Sequence, residues 1–171
     1  AMGATAKYFT LAITLPKLDE NWLEHFSKSL KKASKKYNVS LIGGDTTRGA
    51  LNITITMMGI VEKSKAIKRS GAMNGDNIYV SGDIGDAALC LKKINEAEKP
   101  HKAEMLRLNK PIPRLELGIA INGIASSCVD ISDGLEQDLS HIIKASRVGA
   151  MIDVQKLPLS QSMATYIEDN D

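Results

Sequence analysis

The first part of the chain alternates between two kinds of hydrophobic spacing. Every second residue is apolar in 9–15, which predicts a half-buried strand that ends at Pro16. Apolar residues then recur at helical spacing in 23–37, and Asp19 is placed to cap that helix. Strand-type alternation returns in 51–57, so this part is predicted to fold as strand, helix, strand.

The second part of the chain has a different pattern, in which short apolar segments precede amphipathic ones. A polar, irregular stretch at 63–74 separates the two parts and is the best candidate for a domain junction. Strands that alternate with helices indicate an α/β architecture. The pattern predicts strands at 77–81, 127–131 and 150–154, and helices that end near Ile94, cover 103–108 and 114–122, and follow Gly134.

The composition is that of an ordinary soluble globular protein, with 43% hydrophobic and 25% charged residues. A net charge of +2 gives no case for a nucleic-acid or membrane partner, and no apolar run of the sequence reaches membrane-spanning length. Cys90 and Cys128 lie far apart without metal-type spacing, so we expect reduced thiols in a cytoplasmic protein.

One group of residues suited to phosphate chemistry follows a short buried strand predicted at 39–42, and it comprises Gly43, Gly44, Asp45, Thr46, Thr47 and Arg48. The glycines let the backbone approach a ligand closely because no Cβ intervenes. A carboxylate, two hydroxyls and a guanidinium are the groups that hold a metal-bound phosphate. A tight turn closed by an Asx-type bond, after which the threonines merely begin a strand, explains the same residues as well.

A second group lies at the predicted turn from a strand into a helix, and it comprises Asp130, Ile131, Ser132, Asp133 and Gly134. Both carboxylates can face one point if the turn curls around it. Ser132 or Asp133 could instead cap the helix that follows. Capping does not explain Asp130, since an unpaired carboxylate at the end of an apolar strand is costly and a cation removes that cost.

Two further loops give weaker signals. Arg69, in the junction, could clamp a phosphate, although surface arginines are common. The loop 82–86 either binds an anion at the start of the next helix or, more simply, forms a turn with Asp86 as the cap. The sequence shows no Walker-type loop, no nucleophile elbow and no catalytic pattern around its three histidines, His25, His101 and His141.

Together these segments resemble the thiamine-monophosphate kinase family, which lies in the group of ATP-binding enzymes that includes aminoimidazole ribonucleotide synthetase and selenophosphate synthetase. The resemblance follows the family's order along most of the chain and is most specific at 41–49 and 130–135. It implies a homodimeric phosphotransferase that uses Mg²⁺ and ATP. Its substrate would be thiamine monophosphate, whose phosphate accepts the terminal phosphoryl group of ATP to give thiamine diphosphate.

The resemblance also implies roles for individual residues. The ATP contacts would be Gly44, Asp45, Arg69 and Ser132. The Mg²⁺ ligands would be Asp45, Asp130 and Asp133. The acceptor is a phosphate monoester that is mostly dianionic at neutral pH, so a general base is not needed. Metal ions and an arginine would offset the repulsion between the two anions, and no catalytic histidine is expected.

The chain departs from the family at its ends. Family members extend further on both sides, with an acidic Ser-Asp-Leu-Ala type segment expected just before Ala1 and a Gly-Gly-Glu-Asp-Tyr type segment expected beyond Asp171. The sequence 5–7 also lacks the family's usual proline. We therefore expect an excerpt of a two-domain α/β protein, in which 1–66 complete an N-terminal aminoimidazole ribonucleotide synthetase-like domain that dimerises and 67–171 begin the C-terminal one.

Three alternatives stay open at this point. The chain could come from another enzyme of the same superfamily with a different acceptor. It could be a nucleotide-binding or dimerising fragment that lacks catalysis, because further metal ligands of the family lie outside it. Both aspartate groups could also be no more than turns and helix caps.

Overall fold

The computed structural model describes residues 1–170, which form two compact units. The sheet unit comprises Gly3–Ala66 and Leu115–Asn122. The helical unit comprises Ala1–Met2, Ile67–Arg114 and the chain from Gly123 onward. In chain order the elements are β1 (Thr5–Leu15), α1 (Glu20–Tyr37), β2 (Ser40–Arg48), β3 (Asn52–Ile60), α2 (Asp86–Asn95), α3 (Lys102–Asn109), α4 (Leu115–Ala120), α5 (Leu135–Ser146), a 3₁₀ turn (Val154–Lys156) and α6 (Gln161–Asn170).

The centre of the sheet unit is β1, which is parallel to β2 on one side and antiparallel to β3 on the other. Phe9 and Ile13, four residues apart on one face of β1, are almost fully buried. Asp19 caps α1 by accepting a hydrogen bond from the backbone N–H of Trp22 at 3.0 Å. The predicted strand, helix and strand of this part are confirmed, although each strand is longer than its apolar alternation.

The strand predicted at 39–42 is wrong in its extent and its burial. β2 continues through both glycines to Arg48, and every one of its residues is exposed. As an edge strand of the described sheet it pairs with β1 alone, which leaves its outer side open. A bulge accommodates Ile42, because Phe9 pairs with Leu41 and Thr10 pairs with Gly43.

The helical unit is built around α2, which packs against α3 and α6. Leu89 and Cys90 of α2 are buried, and the Sγ of Cys90 lies 3.5 Å from the Sδ of Met105. Both cysteines are free thiols, with Cys90 buried and Cys128 half-buried. The predicted helices are confirmed, although α4 is shorter than predicted, and α6 was not predicted.

The cap predicted for α2 is wrong. Gly85 is the N-cap, and its φ of 93° lets the chain turn into the helix without a capping side chain. Asp86 is the first helical residue instead, and its Oδ1 accepts a hydrogen bond from the hydroxyl of Ser160 at 2.5 Å.

The strands predicted at 77–81, 127–131 and 150–154 are not strands among the residues that the structure describes. These segments lack a ladder partner, and Tyr79 and Met151 are 86% and 92% exposed. Apolar alternation expresses a tendency, but a strand requires a hydrogen-bonded neighbour. Within the described chain, no helix has the length and apolar character needed to span a membrane.

Candidate functional site

The exposed carboxylate of Asp45 stands on β2, opposite Ala12 of β1 in the parallel register. Its Oδ1 accepts a hydrogen bond from the N–H of Thr46 at 2.8 Å. The turn alternative requires a bond from the N–H two residues on, so this contact with the next residue is not that bond, and the backbone is a strand and not a tight turn. Beside it, the hydroxyls of Thr47 and Thr14 are 2.8 Å apart across the two strands.

Gly44 and Gly43 have different structural requirements. A Cβ on Gly44 would lie 1.8 Å from the carbonyl oxygen of Leu11, so the contact with β1 alone excludes any larger residue. A Cβ on Gly43 would meet nothing within 4 Å. We predicted that a ligand approaches the backbone closely at these glycines. At Gly44 the group that approaches closely is instead the backbone of β1.

The segment 130–134 leads into α5 and presents acidic and hydroxyl groups to solvent. Asp130, Ser132 and Asp133 are all exposed. The burial argument for a cation at Asp130 is therefore wrong, because an exposed carboxylate has little desolvation cost to offset. The capping alternative is wrong too, since Gly134 is the N-cap of α5 and makes no side-chain cap bond.

The amides of this loop are held by a residue that the sequence did not single out. Asp138, only 3% exposed, lies in the first turn of α5. Its Oδ2 accepts hydrogen bonds from the N–H groups of Ser132, Asp133 and Gly134, at 2.8, 3.0 and 3.2 Å. The bond from Ser132 and the two others lower the pKa of Asp138 despite its burial.

These hydrogen bonds determine whether the loop 130–134 favours a positively or a negatively charged ligand. Amides that precede a helix are a common anion site, because they point at a ligand and the helix dipole adds to them. Here an internal carboxylate occupies them, and the groups left to face a ligand are the carboxylates of Asp130 and Asp133 and the hydroxyl of Ser132. The loop is therefore suited to a cation rather than to a bare phosphate.

The loop that contains Arg69 is also fastened to α5, at its other end. The Oγ of Ser146 accepts hydrogen bonds from the N–H groups of Gly71 and Ala72 at 3.1 Å each, and donates to the carbonyl of Arg69 at 3.2 Å. The side chain of Arg69 is exposed. Ser146 and Asp138 are eight residues apart, which is about 12 Å along the helix.

A second carboxylate stabilises the same junction loop. Asp76 accepts hydrogen bonds from the hydroxyl of Ser126 at 2.6 Å and from the N–H of Met73 at 2.9 Å. The bond from Ser126 is the larger of the two causes that lower the pKa of Asp76. The backbone that presents Arg69 is thus tied down by side chains from two separate parts of the helical unit.

The glycine loop 82–86 is occupied by an arginine of its own unit. The Nη2 of Arg107 donates to the carbonyl of Asp83 at 2.7 Å, and its Nε lies 3.9 Å from Asp86. His25 and His101 are engaged locally, since the Nδ1 of His25 is 2.7 Å from the carbonyl of Asn21 and His101 is the N-cap of α3. Neither residue has a catalytic arrangement.

The donor chemistry of the exposed carboxylates fits Mg²⁺. This ion prefers oxygen ligands and is usually bound by one or two carboxylates together with water and substrate phosphates. No group of three or more His, Cys, Asp or Glu side chains placed to hold a metal occurs within residues 1–170. A pair such as Asp130 and Asp133 on one loop is the kind of partial site that a phosphate-bound Mg²⁺ requires.

Comparison with known proteins first gives a family match for the first part of the chain. Residues 1–61 match the family model described as AIR synthase related protein, N-terminal domain. This match coincides with the sheet unit's β1, α1, β2 and β3. The α/β fold class predicted from the sequence is confirmed.

The particular similarity is to thiamine-monophosphate kinases. The chain is 48% identical over 167 residues to the thiamine-monophosphate kinase of Haemophilus influenzae, covering 95% of this chain and 51% of that protein. It superposes on the crystal structure of thiamine-monophosphate kinase from Stenotrophomonas maltophilia K279a with a TM-score of 0.92 and 38% identity, covering 96% of this chain and 55% of that one.

A further structure, described as AaThiL complexed with AMPPCP and TMP, superposes with a TM-score of 0.90 and 29% identity. It covers 99% of this chain and 56% of that chain. The resemblance predicted from the sequence is therefore confirmed, and the chain spans about half the length of the curated relatives that it matches.

Proposed function

We propose that the whole protein is a thiamine-phosphate kinase, which transfers the terminal phosphoryl group of ATP to the phosphate of thiamine monophosphate. The single observation that supports this best is the loop 130–134, where the amides are bound internally and two carboxylates face outward. A loop built for a cation is what a metal-dependent phosphoryl transfer needs. The similarity to thiamine-monophosphate kinases, one of them complexed with AMPPCP and TMP, supplies the substrates.

The residues that would hold Mg²⁺ are Asp45, Asp130 and Asp133. When bound, the ion neutralises charge on the phosphates and so lowers the repulsion between donor and acceptor. The chain's own part is to fix carboxylate oxygens in place. Asp45 stands on a strand, and the backbone N–H of Asp133 is bound to Asp138 of α5.

The residues that would contact ATP are Gly44, Asp45, Arg69 and Ser132. Arg69 suits this role because its guanidinium is exposed while its loop backbone is bound to Ser146. The hydroxyl of Ser132 is exposed and is not used to cap α5. No residue is proposed as a general base, because the acceptor phosphate is itself an adequate nucleophile near neutral pH.

The proposal extends to organisation. Residues 1–66 would complete the N-terminal aminoimidazole ribonucleotide synthetase-like domain, and 67–171 would begin the C-terminal one. The protein would be a cytoplasmic homodimer. Support for a partner on the sheet unit comes from β3, where Ile53, Ile55 and Met57 are 41%, 44% and 52% exposed on one face of the strand.

The test of this function is a set of charge-removing variants in the whole protein. We expect Asp45→Asn and Asp130→Asn each to abolish phosphoryl transfer at saturating ATP, because the substitution removes a metal ligand without changing size. The measurement is ADP release in a coupled assay with thiamine monophosphate. Asp153→Asn is the matched control, since Asp153 caps the 3₁₀ turn and asparagine caps as well. Turnover retained in Asp45→Asn or Asp130→Asn would contradict the assigned roles.

The chain covers about half of its relatives, and this favours a second candidate function for the 171 residues alone. That function is nucleotide binding without catalysis. Calorimetry with ATP and Mg²⁺ beside the kinase assay separates the two readings, because such a piece binds without turnover. Supplying an aminoimidazole precursor or selenide in place of thiamine monophosphate tests for another acceptor of the same superfamily.

A further inference from the structure

We propose that Asp138 is a positioning residue for the magnesium site, acting on Asp130 and Asp133 through the backbone of their loop and not as a metal ligand. The inference rests on the proposed function, because it assumes that this loop binds a metal ion. It adds a residue to which neither the sequence pattern nor the comparisons assign a role.

The three hydrogen bonds of Asp138 restrict the backbone of the loop. One oxygen of Asp138 receives the N–H groups of three consecutive residues, Ser132, Asp133 and Gly134. These bonds fix the peptide groups on both sides of Asp133. Backbone rotation at Asp133, which would move its carboxylate, is therefore restricted.

Asp138 is 3% exposed, whereas Asp130 and Asp133 are exposed. Its Oδ2 already accepts three hydrogen bonds, so that oxygen of Asp138 is occupied by the loop backbone. The carboxylates that face a metal and the carboxylate that holds them are thus distinct groups.

The hydrogen bonds of Asp138 also affect which charge the loop attracts. Free amides ahead of a helix attract anions. By accepting all three, Asp138 removes that attraction and leaves a loop whose outward groups are acidic. Loss of Asp138 would release the amides and would weaken the preference of the loop for a cation.

A purely structural cap makes a different prediction from a positioning residue. A cap contributes to the stability of α5, and its removal lowers the fraction of folded protein. The molecules that remain folded would then bind Mg²⁺ as before. A positioning residue changes the affinity for Mg²⁺ in the folded protein itself.

The experiment uses three variants of the whole protein. Asp138→Ala removes the acceptor, and Asp138→Asn keeps an acceptor oxygen of the same shape without the charge that strengthens the bonds. Glu136→Gln is the matched control, because Glu136 is an exposed acidic residue in the same first turn. Each is titrated with Mg²⁺ by calorimetry at a fixed concentration of AMPPCP, and thermal unfolding is recorded in parallel.

We expect Asp138→Ala to raise the Mg²⁺ concentration for half-saturation about 10- to 100-fold, as loss of outer-shell support does at other metal sites. Asp138→Asn should raise it by a smaller factor of at least about three, and Glu136→Gln should not change it. If Asp138→Ala does not fold, Asp138→Asn decides the question. Half-saturation equal to that of the wild type in the folded variants, with only a lower melting temperature, would overturn the proposal.

The calorimetric titration measures Mg²⁺ binding and does not depend on catalysis. Wild-type protein that binds Mg²⁺ with AMPPCP but forms no thiamine diphosphate would contradict the proposed kinase function while leaving the positioning role to be judged by the titrations. Wild-type protein that does not bind Mg²⁺ would overturn the positioning role itself.

Discussion

At the scale of single residues, the sequence allowed two explanations for Gly44, namely close approach of a ligand or a tight turn. The structure supports a different one, which is packing against β1. A glycine pair before an aspartate suggested close approach of a ligand. The structure requires Gly44 for the approach of β1, while the space beside Gly43 is open. The two glycines are adjacent, but only one of them is demanded by packing.

We therefore predict that Gly44→Ala lowers the free energy of unfolding by at least about 2 kcal/mol, because its Cβ would collide with the Leu11 carbonyl and the strands would have to separate. Gly43→Ala is the control and should stay within about 0.5 kcal/mol of the wild type. Chemical denaturation of the three proteins measures the difference. Equal stability of the two variants would contradict the packing explanation.

The residues of the candidate site stay a prediction, although the structure shows how each of them is presented. Asp45, Asp130 and Asp133 were identified from residue type and spacing, and all three are exposed as a ligand site requires. Asp138 was missed because its three bonds depend on the path of the loop, which spacing does not reveal. The available signal was an aspartate four residues after Gly134, in the first turn of a helix without a side-chain cap.

At the scale of elements, the helical unit is held together by a buried charged group on α3. Glu104 is 1% exposed, pairs with Lys93 of α2 at 2.8 Å, and accepts hydrogen bonds from the hydroxyl of Ser162 on α6 and from the N–H of His101 at 2.8 Å. Burial raises the pKa of Glu104, but these partners together lower it to about 2. Three helices therefore depend on one carboxylate.

The sign of the pH effect follows from this shift. A pKa lowered from 4.5 to about 2 means that Glu104 stabilises the fold above pH 4.5 and that this stabilisation is lost as the pH falls towards 2. We predict that Glu104→Gln costs on the order of 3 kcal/mol at pH 7 and that the difference from the wild type shrinks between pH 4.5 and 2.

Denaturation at a series of pH values measures this difference. Glu24→Gln is the control, because Glu24 belongs to an exposed pair with Lys28 whose removal should cost less than about 1 kcal/mol. A difference between Glu104→Gln and the wild type that does not vary with pH would contradict the account.

The elements of the two units were predictable to different degrees. In the sheet unit, β1 and β3 show clear alternation and pair with each other along the chain, so local pattern and tertiary pairing agree. In the helical unit the apolar segments 77–81, 127–131 and 150–154 have the same local pattern but no ladder partner among the described residues. Pairing is a non-local property, and the sequence of a segment alone does not supply it.

At the scale of the whole molecule, the fold and the similarity to known proteins support the proposed metal-dependent phosphoryl transfer. The α/β class and the family resemblance were predicted from motifs and are confirmed by the comparisons. The matched relatives are about twice as long as this chain. The proposed kinase activity is therefore one of the whole protein, and the residues proposed for its site are this chain's part of it.

The most direct test of the central claim is to identify the products. The whole protein is incubated with ATP, Mg²⁺ and thiamine monophosphate, and the nucleotides and thiamine phosphates are separated and quantified. We expect ADP and thiamine diphosphate in equal amounts, with neither formed when Mg²⁺ is chelated. ADP accompanied by inorganic phosphate, with thiamine monophosphate left unchanged, would contradict it.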